Sequence, residues 1–300
     1  MLPIPLSGSM PWRIFNDSII LWRISRPQNI GIAFLVFSEA LWMTADKNWF
    51  PLYDTNTWLL IALVMTVMSA GYWVNDLYDY KIDLINKPHR TFISIRISSK
   101  KIWTAWFVAW IAVCLIGLLL PIRMQFLLQA TWIFLFLYAR YFKRMPGVGN
   151  VIVASMAAAL VLTASAWLYT LTFNTLCLAI FSFQSTLLRE IIKDMEDIKG
   201  DIRYKLKTLP IVVGIKTSRN IVFVLLMVFI LSCWFPVVVG YMVQKNLNLY
   251  FMLAMLLLVQ IPSFRLLYLL SKATHAPHFA QMSALTKWIM LGGMLALLLL

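Results

Sequence analysis

In a chain of 300 residues, 61% are hydrophobic and only 13% charged, well short of the roughly one quarter of charged residues that a water-soluble domain needs for its surface. A formal net charge of +14 would suit a nucleic-acid partner. The cations, however, sit in short breaks between apolar runs, which excludes a basic soluble face and leaves a protein solvated by lipid.

The first 22 residues, MLPIPLSGSMPWRIFNDSIILW, have no basic start, clean apolar stretch or small-residue cleavage site, so residues 1–22 read as an amphipathic lead-in at the membrane interface. Apolar runs of spanning length then recur at about 29–45, 57–78, 102–120, 124–142, 148–170, 174–192, 219–243, 248–270 and 284–300. The expectation is an all-α integral membrane protein of about nine transmembrane helices, forming a single domain over 1–300. With a cytoplasmic N-terminus, 23 of the 26 basic residues fall on the inside, against Lys47, Arg123 and Lys245 outside. That bias orients a multi-pass protein of the cell (inner) membrane. Two inside loops, 79–101 and 193–218, are long for a compact membrane domain and are expected to carry function. Cys114, Cys177 and Cys233 fall in separate spans without ligand-like spacing and read as packing residues. His275 and His278 read as solvated loop residues before the last span.

Eight of the 12 acidic residues lie in two windows. One is Asn75-Asp76-Leu77-Tyr78-Asp79-Tyr80-Lys81-Ile82-Asp83; the other holds Glu190, Asp194, Glu196, Asp197 and Asp201. On a helix, Asn75, Asp79 and Asp83 are spaced i, i+4, i+8, and Asp194, Asp197 and Asp201 are spaced i, i+3, i+7, so each window builds an acidic stripe. Carboxylates held so close repel one another unless a cation is present. Oxygen-only donors suit magnesium, which takes one or two carboxylates and completes its shell with water and phosphate. A solvated helix end whose acids pair with lysines is the plainer reading of either window alone. Lys81, Lys87 and Arg90 follow the first window, Lys193, Lys199, Arg203, Lys205 and Lys207 flank the second, and Lys143 and Arg144 end the fourth span. Acids with cations around them suit a magnesium-bound diphosphate. A transporter would place its acids near mid-bilayer rather than at the ends of spans.

NDLYDYKIDLINKPHR resembles the NDxxDxxxD signature of the UbiA superfamily of membrane prenyltransferases. REIIKDMEDIKGDIRYKLKTLPIVVG resembles the superfamily's second Asp-rich region and the Lys-Thr-Leu-Pro turn that follows it. Arg26-Pro27-Gln28-Asn29 is similar to the RPxN start of the first helix, and Asn86, Pro88 and Arg90 match the run after the first motif. Beyond it this chain has Thr91-Phe92-Ile93-Ser94-Ile95 where many relatives read Pro-Ile-Pro-Ser-Gly. The resemblance implies nine helices around a central cavity and magnesium-dependent transfer of a prenyl group from a prenyl diphosphate to a lipophilic acceptor.

By the same resemblance, Asn75, Asp79 and Asp83 hold one ion with Asp76 in support, and Asp194, Asp197 and Asp201 hold a second, two ions in all with the diphosphate. Lys143, Arg90, Lys193 and Lys207 are candidates for phosphate oxygens, and Asn29 for substrate. Tyr138, Tyr72 or Trp73 could offer a ring face to an allylic cation. The wording KDMEDIKGD…KTLPIVVG and the run YARYFKRMPGVGN resemble the superfamily members that add a geranylgeranyl chain to geranylgeranylglyceryl phosphate, forming an ether lipid. Quinone, tocopherol or chlorophyll-type acceptors, and a terpene cyclase on the same scaffold, are the alternatives.

Overall fold

The computed structural model describes residues 10–86, 97–244 and 247–300, and these are helical almost throughout. In chain order the helices are α1 (Met10–Ile24), α2 (Pro27–Thr44), α3 (Thr55–Asn86), α4 (Ser99–Gly117), α5 (Ile122–Arg140), α6 (Val148–Leu168) and α7 (Phe173–Glu196). There follow α8 (Ile198–Arg203), α9 (Leu209–Ser232), α10 (Phe235–Gln244), α11 (Leu249–Met255), α12 (Ile261–Lys272) and α13 (Ala276–Leu297), with a π-helical stretch, Leu256–Gln260, joining α11 to α12. Seven helical stretches among the described residues are long and apolar enough to cross a membrane; α2 and α13 occupy the two remaining places where spans were expected.

Two expected boundaries shift. Helix α3 runs on to Asn86, so residues 79–86 of the expected 79–101 loop are helical. Hydropathy ends the span at the first carboxylates, but the backbone does not, because Leu77 and Ile82 remain buried along the continuing helix. The 193–218 loop is likewise mostly helix: α7 extends to Glu196, α8 follows, and α9 begins at Leu209, ten residues before the expected 219. Thr208 and Pro210 open α9 with extended backbone and a proline in the first turn.

The chain divides into two compact units, residues 1–31 with 59–140, and residues 32–58 with 141–300. In the first, Ile24, Leu77, Ile97 and Ile102 form a buried cluster with Ile20, Leu21, Trp73, Tyr80 and Trp103 against it. The Trp73 indole donates to Ser25 Oγ at 2.7 Å and to the Leu21 carbonyl at 3.1 Å, and Lys101 pairs with Asp17, so α1 is tied to α3 and α4. Gly71 lets α5 approach α3, since a Cβ there would stand 2.8 Å from Leu135 Cδ1. The outer faces of α4 and α5 expose Phe107, Ile111, Leu115, Phe126 and Ile133, apolar surface that only lipid can cover in a monomer.

In the second unit α7 is the central helix, packed by α6, α9 and α13. The C-terminal end of α2 joins it through hydroxyls: Thr44 Oγ1 bonds Thr175 Oγ1 at 3.0 Å and Ser165 Oγ at 3.4 Å. Gly292 and Gly293 permit the tightest contacts of α13. A Cβ on Gly292 would fall 2.6 Å from the Leu258 carbonyl oxygen of the π-helical stretch, and one on Gly293 only 1.8 Å from Phe181 Cζ of α7. All three cysteines are free, with Cys177 and Cys233 buried.

Candidate active site

The first acidic window lies on the last turns of α3. The Asn75 side-chain amide donates to Asp79 Oδ2 at 2.8 Å, one turn on. Asp79 is 6% exposed. The other polar atom of Asn75, Oδ1, is buried without a hydrogen-bond partner. A buried carbonyl oxygen left unpaired beside a carboxylate is costly unless something positive completes it. The donors there are all oxygen and suit a hard cation such as magnesium. Asp83 is half-buried one turn further along.

Asp76 faces a different partner. The Arg26 guanidinium donates to Asp76 Oδ1 at 2.7 Å and lies over the Tyr72 ring, 4.7 Å from its centre. Burial by itself disfavours the charge on Arg26, but Asp76, Tyr72 and Asp79 outweigh it and move its pKa up. Arg26 has φ +56° at the corner between α1 and α2, and Asn29, in the first turn of α2, donates to the Tyr72 hydroxyl at 3.4 Å. The Arg26–Asn29 segment is thus anchored to α3 directly below the acidic turns. The corner pairs Asp76 with an arginine 50 residues away.

The second window is not one continuous stripe. Asp197 sits between α7 and α8 with φ −88° and ψ 4°, and the chain turns there. Asp194, still on α7, accepts from the Asn150 amide at 2.8 Å. Asp201, on α8, is 5% exposed and accepts from Thr208 Oγ1 at 3.2 Å. Glu190 is engaged by Arg189 at 2.6 Å and by Lys193 at 3.7 Å. The i, i+3, i+7 register of Asp194, Asp197 and Asp201 is therefore interrupted at Asp197, and among the described residues no three His, Cys, Asp or Glu side chains form a group that could hold a metal ion by themselves. An ion at either window would draw on one or two carboxylates with amide, water or phosphate oxygens, which is magnesium's usual habit.

Lys143 lies in a single 3-10 turn, Phe142–Arg144, after α5. Gly149 lets that turn rest on the start of α6, since a Cβ there would meet the Phe142 carbonyl oxygen and Lys143 Cα at 3.1 Å. The same first turns of α6 present the buried Asn150 to Asp194, which ties this stretch to the second window through one side chain. Tyr138 is half-buried near the end of α5, and Lys207 is exposed in the turn before α9. Arg90 lies outside the described residues.

The chain matches the UbiA prenyltransferase family over residues 32–285. It belongs to that family. This UbiA member is 35% identical over 226 residues to digeranylgeranylglyceryl phosphate synthase of Saccharolobus solfataricus, covering 72% of this chain and 75% of that protein. The synthase of the same description from Sulfurisphaera tokodaii is 31% identical, covering 67% and 73%. A solved structure concerning digeranylgeranylglyceryl phosphate synthase in membranes superposes with a TM-score of 0.68 over 93% of this chain and 96% of that one, at 22% identity. A UbiA homolog from Archaeoglobus fulgidus, bound to GPP and Mg2+, superposes at 0.64 over 93% and 99%, at 11% identity. The protein is accordingly a multi-pass membrane prenyltransferase with the all-helical UbiA fold.

Three polar partners of the UbiA member's acids have no role in the sequence reading: Arg26, Asn150 and Thr208. Arg26 stood within a recognised motif, and Asn150 ended a recognised run. Thr208 had no signal beyond its place in Lys207-Thr208-Leu209-Pro210. Glu39 is a further buried acid, in α2, with neither carboxyl oxygen hydrogen-bonded.

Proposed function

We propose that this prenyltransferase moves a geranylgeranyl group from its diphosphate to the hydroxyl of geranylgeranylglyceryl phosphate, giving an ether lipid. The acceptor rests on the relatives at 31% and 35% identity, which share one description. The metal-assisted chemistry rests on one observation, the unpaired Asn75 Oδ1 beside the buried Asp79. In the reaction the allylic carbon–oxygen bond breaks with its electron pair leaving on diphosphate. The acceptor hydroxyl oxygen forms the new bond and loses its proton to solvent. Magnesium, when bound, supplies Lewis-acid neutralisation of the departing diphosphate.

The chain's own residues hold and orient. Asn75, Asp79 and Asp83 offer oxygens for one ion, and one or two of the carboxylates of Asp194, Asp197 and Asp201 for a second, with water and phosphate oxygens completing each shell. Arg26 acts on the first set by positioning Asp76, and Asn150 and Thr208 fix the carboxylates of Asp194 and Asp201 through hydrogen bonds. Lys143, Lys193 and Lys207 bind phosphate oxygens, with Arg90 from outside the described residues. Asn29 contributes to the substrate pocket beside Tyr72, and Tyr138 offers a ring face to positive charge developing on the allyl group. The acidic ends of α3 and α7 face the cytoplasm in the cell membrane, as the placement of 23 of the 26 basic residues argues.

The test is transfer by the full-length protein in liposomes, using labelled geranylgeranyl diphosphate, a panel of acceptors and identification of the product by mass. The expected product is the digeranylgeranyl ether of glycerol phosphate. Chelation should abolish it, and Asp79→Ala should lower the rate by about a hundredfold or more, as for loss of a group that stabilises developing charge. Prenylation of aromatic acceptors alone would refute the acceptor. Transfer undiminished by chelation would refute the metal.

A further inference from the structure

Between α7 and the membrane-spanning part of α9 the chain makes two short helical pieces. The first is α8; the second is the opening turn of α9, set off from the rest of that helix by Gly214, whose φ +83° and ψ 157° are not helical. Such a backbone favours glycine, because a Cβ is strained there. The two pieces divide their side chains sharply. Asp201, the one acid on α8, turns inward, 5% exposed and bonded to Thr208, while Leu206, Thr208 and Pro210 are buried beside it. Outward from α8 and the stretch that joins it to α9 stand Lys199, Arg203, Lys205 and Lys207, all exposed, with Lys216 exposed just beyond Gly214. Among them are Ile202 at 60%, Tyr204 at 40% and Val212 at 53% exposure. The nearest other acids, Glu196 and Asp197, are half-buried at the end of α7.

We propose that this face is a docking surface for anionic phospholipid. Apolar side chains interleaved with cations, on short helical pieces beside a span, match the boundary where acyl chains meet headgroups. In zwitterionic headgroups the phosphate is offset by the lipid's own ammonium group, whereas net-anionic headgroups complement the outward cations. The positions are those of an interfacial anchor: Ile202, Tyr204 and Val212 enter the acyl boundary, and Lys199, Arg203 and Lys205 take the headgroup charge. Because Asp201 sits on the inner side of the same helix, lipid held on the outer side also holds that carboxylate in place. The inference needs only the multi-pass membrane character of the chain and is independent of the donor and acceptor proposed above.

The experiment reads lipid, not product. Full-length protein in nanodiscs of phosphatidylcholine with a minor share of phosphatidylglycerol is released in native mass spectrometry without any prenyl donor, and the retained lipids are counted. The wild type should retain phosphatidylglycerol over phosphatidylcholine by about fivefold or more, the scale expected of even one cation at an anionic surface. The triple variant Lys199→Gln, Arg203→Gln, Lys205→Gln should lose most of that preference. The charge-keeping triple Lys199→Arg, Arg203→Lys, Lys205→Arg should retain it, and Lys47→Gln on the opposite side should not alter it. If the triple Gln variant does not fold, Arg203→Gln alone is read in the same way. No preference in the wild type, or an equal preference after the cations are removed, overturns the proposal whatever the enzyme transfers.

Discussion

Asn150 and Glu39 are both buried polar side chains in apolar surroundings, and they differ in what meets them. Asn150 gives its amide to Asp194 at 2.8 Å; Asn150→Ala removes the donor and leaves a half-buried carboxylate short of a hydrogen bond. A loss of about 1–3 kcal/mol follows from that kind of orphaning, read as a lower thermal midpoint in detergent, together with slower transfer. Glu39 has no hydrogen bond to either oxygen and is 3% exposed. Glu39→Leu should therefore raise the thermal midpoint, by up to about 1–3 kcal/mol of unpaired polar burial relieved; a fall would show that the carboxyl has a structural partner. Legibility at this scale follows distance along the chain. The Asn75–Asp79 bond is one helical turn and could be read from spacing, whereas Arg26–Asp76 and Asn150–Asp194 join residues 50 and 44 positions apart, which no local pattern encodes. Glu39 was visible as a lone acid within an apolar run, the kind of residue that is rare in spans and usually purposeful.

Helices met by glycine carry their own test. Gly293 of α13 lies under the Phe181 ring of α7, with room for no Cβ. Gly293→Ala forces ring or helix to move and should cost about 1–3 kcal/mol, as overpacking does. Phe181→Leu in the same chain should recover part of the loss, so that the double variant is less destabilised than the sum of the singles. Strict additivity would mean the two side chains do not collide. Element ends follow the same physics in a less legible form. Hydropathy locates where a helix leaves lipid but not where it stops, so α3 continues through its carboxylates to Asn86 while α7 halts at Asp197. The stop depends on backbone at one residue, Asp197, which no local apolar pattern marks.

At the scale of the whole molecule, the distribution of charge makes a direct claim about sidedness. In a chain freed of its three cysteines, Lys47→Cys should react with an impermeant maleimide added to intact cells and Arg144→Cys should react only after the membrane is opened; both positions are exposed. The reverse pattern would invert the orientation and move both acidic windows to the outside. Composition and hydropathy by themselves determined that the chain is helical, lipid-solvated and multi-pass, because the cost of exposing backbone or charge to hydrocarbon leaves few other solutions. Motif and spacing singled out two windows of acids as candidates. Only the tertiary structure decided their partners: that Arg26 claims Asp76, that Asn150 and Thr208 restrain Asp194 and Asp201, and that the α8 cations turn outward. Those outcomes depend on which helices pack side by side and where one helix breaks, and a one-dimensional pattern of apolar runs is the same for many such packings.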